Sequence, residues 1–120
     1  MDGLVLLAHG ARDPRWREPF ERLARKARAA RSDVAVSLAF LESMEPTLDI
    51  AVDDLAQAGC TRIRVVPVFL GQGGHVREDI PAAVERARER HPSIAITLRR
   101  AVGEDDAVIE RIAAVAVDGL

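Results

Sequence analysis

Three residues of this chain belong to types that hold metal ions or move protons, and each stands after a short apolar run. His9 follows Leu4-Val5-Leu6-Leu7-Ala8, and Glu42 follows Val36-Ser37-Leu38-Ala39-Phe40-Leu41. His75 follows Val65-Val66-Pro67-Val68-Phe69-Leu70 and the turn Gly71-Gln72-Gly73-Gly74. In an open parallel α/β sheet, residues just beyond the carboxyl ends of the strands share one rim, where ligands bind. Two imidazoles and a carboxylate on one rim suit a first-row divalent metal ion or a proton transfer. Each residue also has a plain structural reading: a histidine capping a strand end or starting a helix, a glutamate favoured by a helix dipole. Recurrence at equivalent points of successive units favours chemistry over those readings. His91, before Pro92 at a helix end, reads as structural, because a cation suits that end of the dipole.

The elements that must position these residues are legible as periodicity. Residues 3–8 read as a buried strand. From Trp16 to Arg31 the apolar positions Trp16, Phe20, Leu23, Ala24, Ala27 and Ala30 fall at helical spacing. Val34–Leu41 is a second strand. Pro46 suits the first turn of a second helix running to Ala58, with Gly59 as its stop. Arg62–Leu70 is a third strand containing Pro67, which cannot donate to a ladder, so an interruption and a bend are expected there. Gly71–Gly74 is a loop. A helix starting between Val76 and Ile80, with Asp79 as its cap before Pro81, ends near His91-Pro92. Ile94–Leu98 is the fourth strand and Asp105–Val117 the last helix. Strands alternating with helices imply right-handed crossovers and a parallel sheet covered on both faces.

Composition narrows the function classes. The chain has 120 residues, enough for one domain, and is 48% hydrophobic. A net charge of −2 leaves no nucleic-acid footprint. No apolar run approaches the ~20 residues of a membrane span, and the chain enters a strand with no signal peptide in view. The single cysteine, Cys60, excludes an internal disulfide and fits a reducing cytoplasm, where it reads as a core residue at a strand entry. Gly71–Val76 misses the dinucleotide fingerprint at Val76 and follows the third strand rather than the first. Around the rim stand Arg12, Arg15, Arg17 and Arg77, with the apolar residues Pro14, Leu41, Met44, Phe69, Leu70 and Val76. Apolar walls with a basic border suit a flat, hydrophobic, polycarboxylate ligand.

Three blocks then carry a resemblance. They are Leu7-Ala8-His9-Gly10-Ala11-Arg12-Asp13-Pro14; Phe40-Leu41-Glu42 with Pro46 following; and Val66-Pro67-Val68-Phe69-Leu70-Gly71-Gln72-Gly73-Gly74-His75-Val76-Arg77-Glu78-Asp79-Ile80-Pro81. In these the chain resembles the class II tetrapyrrole chelatases, in their sirohydrochlorin cobaltochelatase and ferrochelatase branch. The resemblance implies a chelatase-like three-layer α/β sandwich, one domain over residues 1–120. It implies insertion of Co²⁺ or Fe²⁺ into sirohydrochlorin on the way to cobalamin or sirohaem. The metal-binding histidines carry over onto His9 and His75, and the active-site glutamate, sharing the metal, onto Glu42. Arg12, Leu41, Met44, Phe69, Leu70, Val76 and Arg77 become the candidate tetrapyrrole contacts. No cofactor is implied beyond the divalent metal substrate, for which Ni²⁺ and Zn²⁺ are further candidates. Many members are about twice this length, with two similar halves; this chain resembles the short form, which pairs as a homodimer. A sheet order of 2-1-3-4 then lets Glu42 and His75 flank His9.

Two other readings compete. Histidine phosphatases also place a His-Gly at the end of strand one, but their chemistry wants an arginine before the histidine, where this chain has Ala8. A non-catalytic metal- or tetrapyrrole-binding module would keep the histidines and show no turnover.

Overall fold

The computed structural model describes residues 1–120, except for the side chain of His75. Four parallel strands, β1 (Asp2–Ala8), β2 (Val34–Phe40), β3 (Arg62–Pro67) and β4 (Ala95–Leu98), form one sheet in the order β2-β1-β3-β4. The expected order is therefore the observed one. The helices α1 (Glu18–Ala30), α2 (Leu48–Gln57) and α3 (Gly74–Arg90) make the crossovers, and α4 (Asp106–Val117) follows β4.

The alternation of side chains along each strand divides the core in two. Val5 and Leu7 of β1, Ile63 and Val65 of β3 and Ile96 of β4 point toward α2 and α3, which add Val52, Leu55, Ile80 and Val84. Leu6 and Ala8, with Leu38, Phe40 and Val66, face the opposite way and meet Ala24, Trp16 and Phe20 from the α1 side. Full burial of side chains such as Leu7 and Phe40 contributes about 1.5–3 kcal/mol each. Cys60 is buried, with Sγ against Gly3 at the floor of the α2 layer. Two layers of helix thus flank the sheet, but α1 covers only the β1–β2 half of its face. Arg62, Arg64, Ala95 and Thr97, on the β3–β4 half, stay exposed.

Several boundaries differ from the sequence reading, each for a local reason. The first helical stretch is two pieces: a 3-10 turn at Pro14–Arg17, capped by Asp13, and α1. Pro19 in the first turn of α1 has no N–H to give, so the break costs little there. Pro46 lies outside α2, after a cis Glu45–Pro46 peptide; Thr47 caps the helix by accepting from the Ile50 N–H. β3 stops at Pro67, the interruption expected of a proline. The largest difference is α3, which starts at Gly74 with Gly73 as N-cap, so Asp79 lies inside the helix and caps nothing. Pro81 is also internal, in the third turn.

Candidate functional site

The carboxyl rim is built by continuing the β1–β2 ladder past the strands. Ala8 pairs with Phe40 as the last register position. Beyond it the Leu41 N–H donates to the Ala8 carbonyl at 3.0 Å, and the Glu42 N–H donates to the His9 carbonyl at 3.1 Å. His9 and Glu42 are therefore locked side by side through the backbone. Gly10 then turns away with φ of 95°, a left-handed conformation that glycine adopts without a steric penalty. Its α-carbon lies so close to the Glu42 carbonyl that an added Cβ would stand 1.8 Å from that oxygen. The Glu42 loop turns back through Ser43, another positive-φ residue at 63°. Its far end is held by the Phe40 N–H donating to the Pro46 carbonyl.

The side chains meet as well. His9 Nε2 lies 3.8 Å from Glu42 Oε1, and both are about half exposed. The Phe69 ring stands edge-on to the imidazole, with centroids 5.9 Å apart. The β3 side of the rim is tied down by the Val68 N–H donating to the Leu7 carbonyl and the Gly103 N–H donating to the Phe69 carbonyl, both at 2.8 Å. His75 is the second residue of α3, so its backbone follows β3 onto the same rim; its side chain lies outside the described residues. Among the described residues no three histidine, cysteine, aspartate or glutamate side chains gather closely enough to hold a metal ion. The His9–Glu42 pair is the chemistry found there: one imidazole able to ligate a divalent ion beside one carboxylate able to share it or accept a proton.

A recess of about 460 Å³ opens beside the pair, between the starts of α2 and α3. Leu41 and Val76, both expected at the rim, line it. Met44 is half-buried against the α1-side core, Phe69 against the other, and Leu70 projects into solvent. Arg12 and Arg77 are exposed, and the Arg77 guanidinium donates to the Gln72 carbonyl. Two of the four rim arginines are engaged elsewhere. Arg15 pairs with Asp13 at 2.7 Å. Arg17 lies over the Phe40 ring and pairs with Glu21 while donating to the Glu45 carbonyl.

Comparison with known proteins completes this picture. A family model described as CbiX matches residues 3–118. The chain belongs to the CbiX family. Among its relatives, the sirohydrochlorin cobaltochelatase of Methanosarcina acetivorans is 39% identical over 79 residues, which is 66% of this chain and 61% of that protein. The sirohydrochlorin ferrochelatase of Bacillus subtilis is 28% identical over 109 residues, 91% of this chain and 42% of that protein. The chain thus matches less than two thirds of the length of these curated relatives. The fold is that of solved family structures. The Marinobacter aquaeolei CbiX protein, assigned by name to cobalamin (vitamin B12) biosynthesis, superposes with a TM-score of 0.84 at 35% identity, over 97% of this chain and 94% of that one. The sirohydrochlorin chelatase SirB of Bacillus subtilis subspecies spizizenii, in complex with cobalt, superposes with a TM-score of 0.85 at 28% identity, over 98% of this chain and 50% of that one.

The recess also holds residues that sequence reasoning passed over. Asp49, Asp79 and Arg86 share it with His9 and Glu42. Asp49 had only the weak signal of an acid in the first turn of a helix. Asp79 was masked by the displaced start of α3, and Arg86, in the fourth turn of that helix, by its resemblance to any solvated charge.

His91 lies apart from the site. Its Nε2 stands 2.7 Å from Asp53 Oδ1, at the end of α3 opposite the rim, and Arg90 pairs with the same carboxylate. The His91 hydrogen bond, with help from the Arg90 guanidinium, holds Asp53 below the usual carboxylate range.

Proposed function

We propose that this protein inserts a divalent metal ion, Co²⁺ or Fe²⁺, into sirohydrochlorin. The observation that carries the reading is the His9–Glu42 pair, 3.8 Å apart on the carboxyl rim of a CbiX-family sheet. Insertion requires the ion to shed water, enter the macrocycle and displace two pyrrole protons. A neutral imidazole at His9 binds such an ion firmly enough to replace water, and labile nitrogen ligation lets it leave again. His75, arriving on the same rim at the start of α3, is the second imidazole of this reading. Glu42 shares the ion and accepts a pyrrole proton. Phe69 and Leu70 offer apolar surface to the macrocycle beside the metal, and Arg12 and Arg77 offer cations to its carboxylates. Holding ring and ion together turns an encounter into a positioned transfer.

The metal ion is the substrate, and the reading calls for no other cofactor. One chain supplies one rim and one wall, whereas a flat macrocycle has two faces, so the active form in this reading is a homodimer enclosing a shared cleft near Leu41, Met44 and Phe69. The chain works in the cytoplasm, consistent with its lone buried thiol; among the described residues no helix is long and apolar enough to cross a membrane.

The test is anaerobic insertion with sirohydrochlorin and Co²⁺, Fe²⁺, Ni²⁺ or Zn²⁺ in parallel, followed by the change in tetrapyrrole absorbance. Wild-type protein should accelerate insertion of Co²⁺ or Fe²⁺. Glu42→Gln should lose most of that rate with nearly unchanged thermal stability. Binding of metal and tetrapyrrole without acceleration for any ion would replace this reading with a carrier.

A further inference from the structure

Two strands, β2 and β4, lie at the edges of the sheet. An edge strand offers unpaired N–H and C=O groups to any other strand, a liability that a folded chain must cover. Along a strand the backbone groups of successive residues point to opposite sides. The Leu41 N–H donates inward to the Ala8 carbonyl, so Val34, Val36, Leu38 and Phe40 form the outward row of β2. Beside β3 the Ala95 N–H donates inward to the Thr61 carbonyl and the Arg99 N–H to the Val65 carbonyl, so Ile94, Ile96 and Leu98 face outward.

Both outward rows are covered by the same device. On β2 the Val34 N–H donates to the Arg31 carbonyl, and the Arg28 guanidinium donates to the Val36 carbonyl at 2.9 Å. On β4 the Ile94 N–H donates to the His91 carbonyl, and the Arg88 guanidinium donates to the Ile96 carbonyl at 2.9 Å. The sequence repeats with the geometry. Ala27-Arg28, Arg31 and Val34-Ala35-Val36 recur as Ala87-Arg88, His91 and Ile94-Ala95-Ile96, each 60 positions on. Both arginines stand in the last turn of their helices. Because α1 and α3 pack on opposite faces of the sheet, each edge is reached from a different face.

We propose that Arg28 and Arg88 close the two edges of the sheet to strand addition by another copy of this chain. A guanidinium has donors and no acceptor. Seated on an outward carbonyl, it takes the acceptor that an incoming N–H needs, and its charge would lose water beneath an added strand. A second copy is the partner to be kept out, because every copy presents Val34-Ala35-Val36 and Ile94-Ala95-Ile96, short uncharged segments rich in β-branched residues. With both edges closed the sheet stays at four strands, and association is left to the helical faces and the rim.

The inference stands apart from the metal chemistry, since neither arginine belongs to the site. The test is Arg28→Met with Arg88→Met, which keeps an unbranched, helix-favouring stem and removes the donors. Sedimentation velocity on the full chain over a concentration series reads the outcome. Species larger than the wild-type assembly should appear at concentrations about tenfold below those at which wild type forms them. Their infrared amide I band should gain the component of intermolecular strand pairing. Arg28→Lys with Arg88→Lys keeps the charge and a donor and should sediment as wild type. Gly59→Ala, which perturbs neither edge, is the control for lost stability alone and should also sediment as wild type. If the double methionine variant does not fold, Arg28→Met alone is read in the same way, because it opens β2 and leaves β4 closed. Wild-type sedimentation of the methionine variant at every concentration would overturn the inference. So would equal growth in Gly59→Ala, or larger species without the strand-pairing band.

Discussion

Gly10→Ala and Gly59→Ala form a matched pair that isolates the geometry of the rim. Both glycines sit at φ of 95°. Placing alanine in this left-handed region costs about 1–2 kcal/mol at either position. The surroundings differ completely. A Cβ at Gly59 meets nothing within 4 Å, whereas a Cβ at Gly10 stands 1.8 Å from the Glu42 carbonyl oxygen and 3.0 Å from its carbon. Ordinary contact is about 3.5 Å, so the Glu42 backbone must retreat by roughly 1.7 Å or β1 must give way by as much. Either movement breaks the hydrogen bond from the Glu42 N–H to the His9 carbonyl and pulls the carboxylate from the imidazole. A misplacement of about 1 Å costs on the order of a hundredfold in rate. Gly59→Ala should therefore lose about 1–2 kcal/mol in urea unfolding and keep wild-type insertion. Gly10→Ala should lose more stability and about a hundredfold in insertion rate, measured where both proteins are fully folded. Equal insertion rates in the two variants would refute the claim that the Gly10–Glu42 contact sets the site.

The same contacts set three further expectations. His9→Ala should largely abolish Co²⁺ binding measured by calorimetry, whereas His91→Ala should leave it unchanged and lower only the unfolding midpoint; equal damage to metal binding would move the site. Metal affinity should weaken on acidification, because protons compete for the ligating imidazole, and titrations at several pH values check this. Asp53 is held below its usual range, so the stabilisation it contributes is complete above about pH 4 and is lost as pH falls through the lowered folded value. The group is partly exposed, so Asp53→Asn should cost only about 1 kcal/mol at neutral pH. That difference from wild type should shrink in acid, as denaturant melts across the range would show.

The alternation of apolar runs with helical spacing determined most of the architecture by itself, because strand and helix periods are local properties of neighbouring residues. Strand ends, the Gly59 stop and the break at Pro67 came from backbone chemistry at single positions. So did the placement of His9 and Glu42 just beyond the ends of their strands. The start of α3 was not legible, because glycine at position 74 is a poor helix former. The helix is anchored instead by its later turns, where Ile80, Val84 and Ala87 pack into the core. Tertiary structure alone decided the rest. Whether a rim arginine is available depends on partners that packing brings near: Arg17 is taken by Phe40 and the distant Glu45 carbonyl, whereas Arg12 stays exposed. Asp49, Asp79 and Arg86 join His9 only because α2 and α3 cross the same face of the sheet. The periodicity of α4 announces an amphipathic helix but not what covers it. That depends on where the turn at Val102–Glu104 aims the chain, a long-range geometry that no window of neighbouring residues encodes.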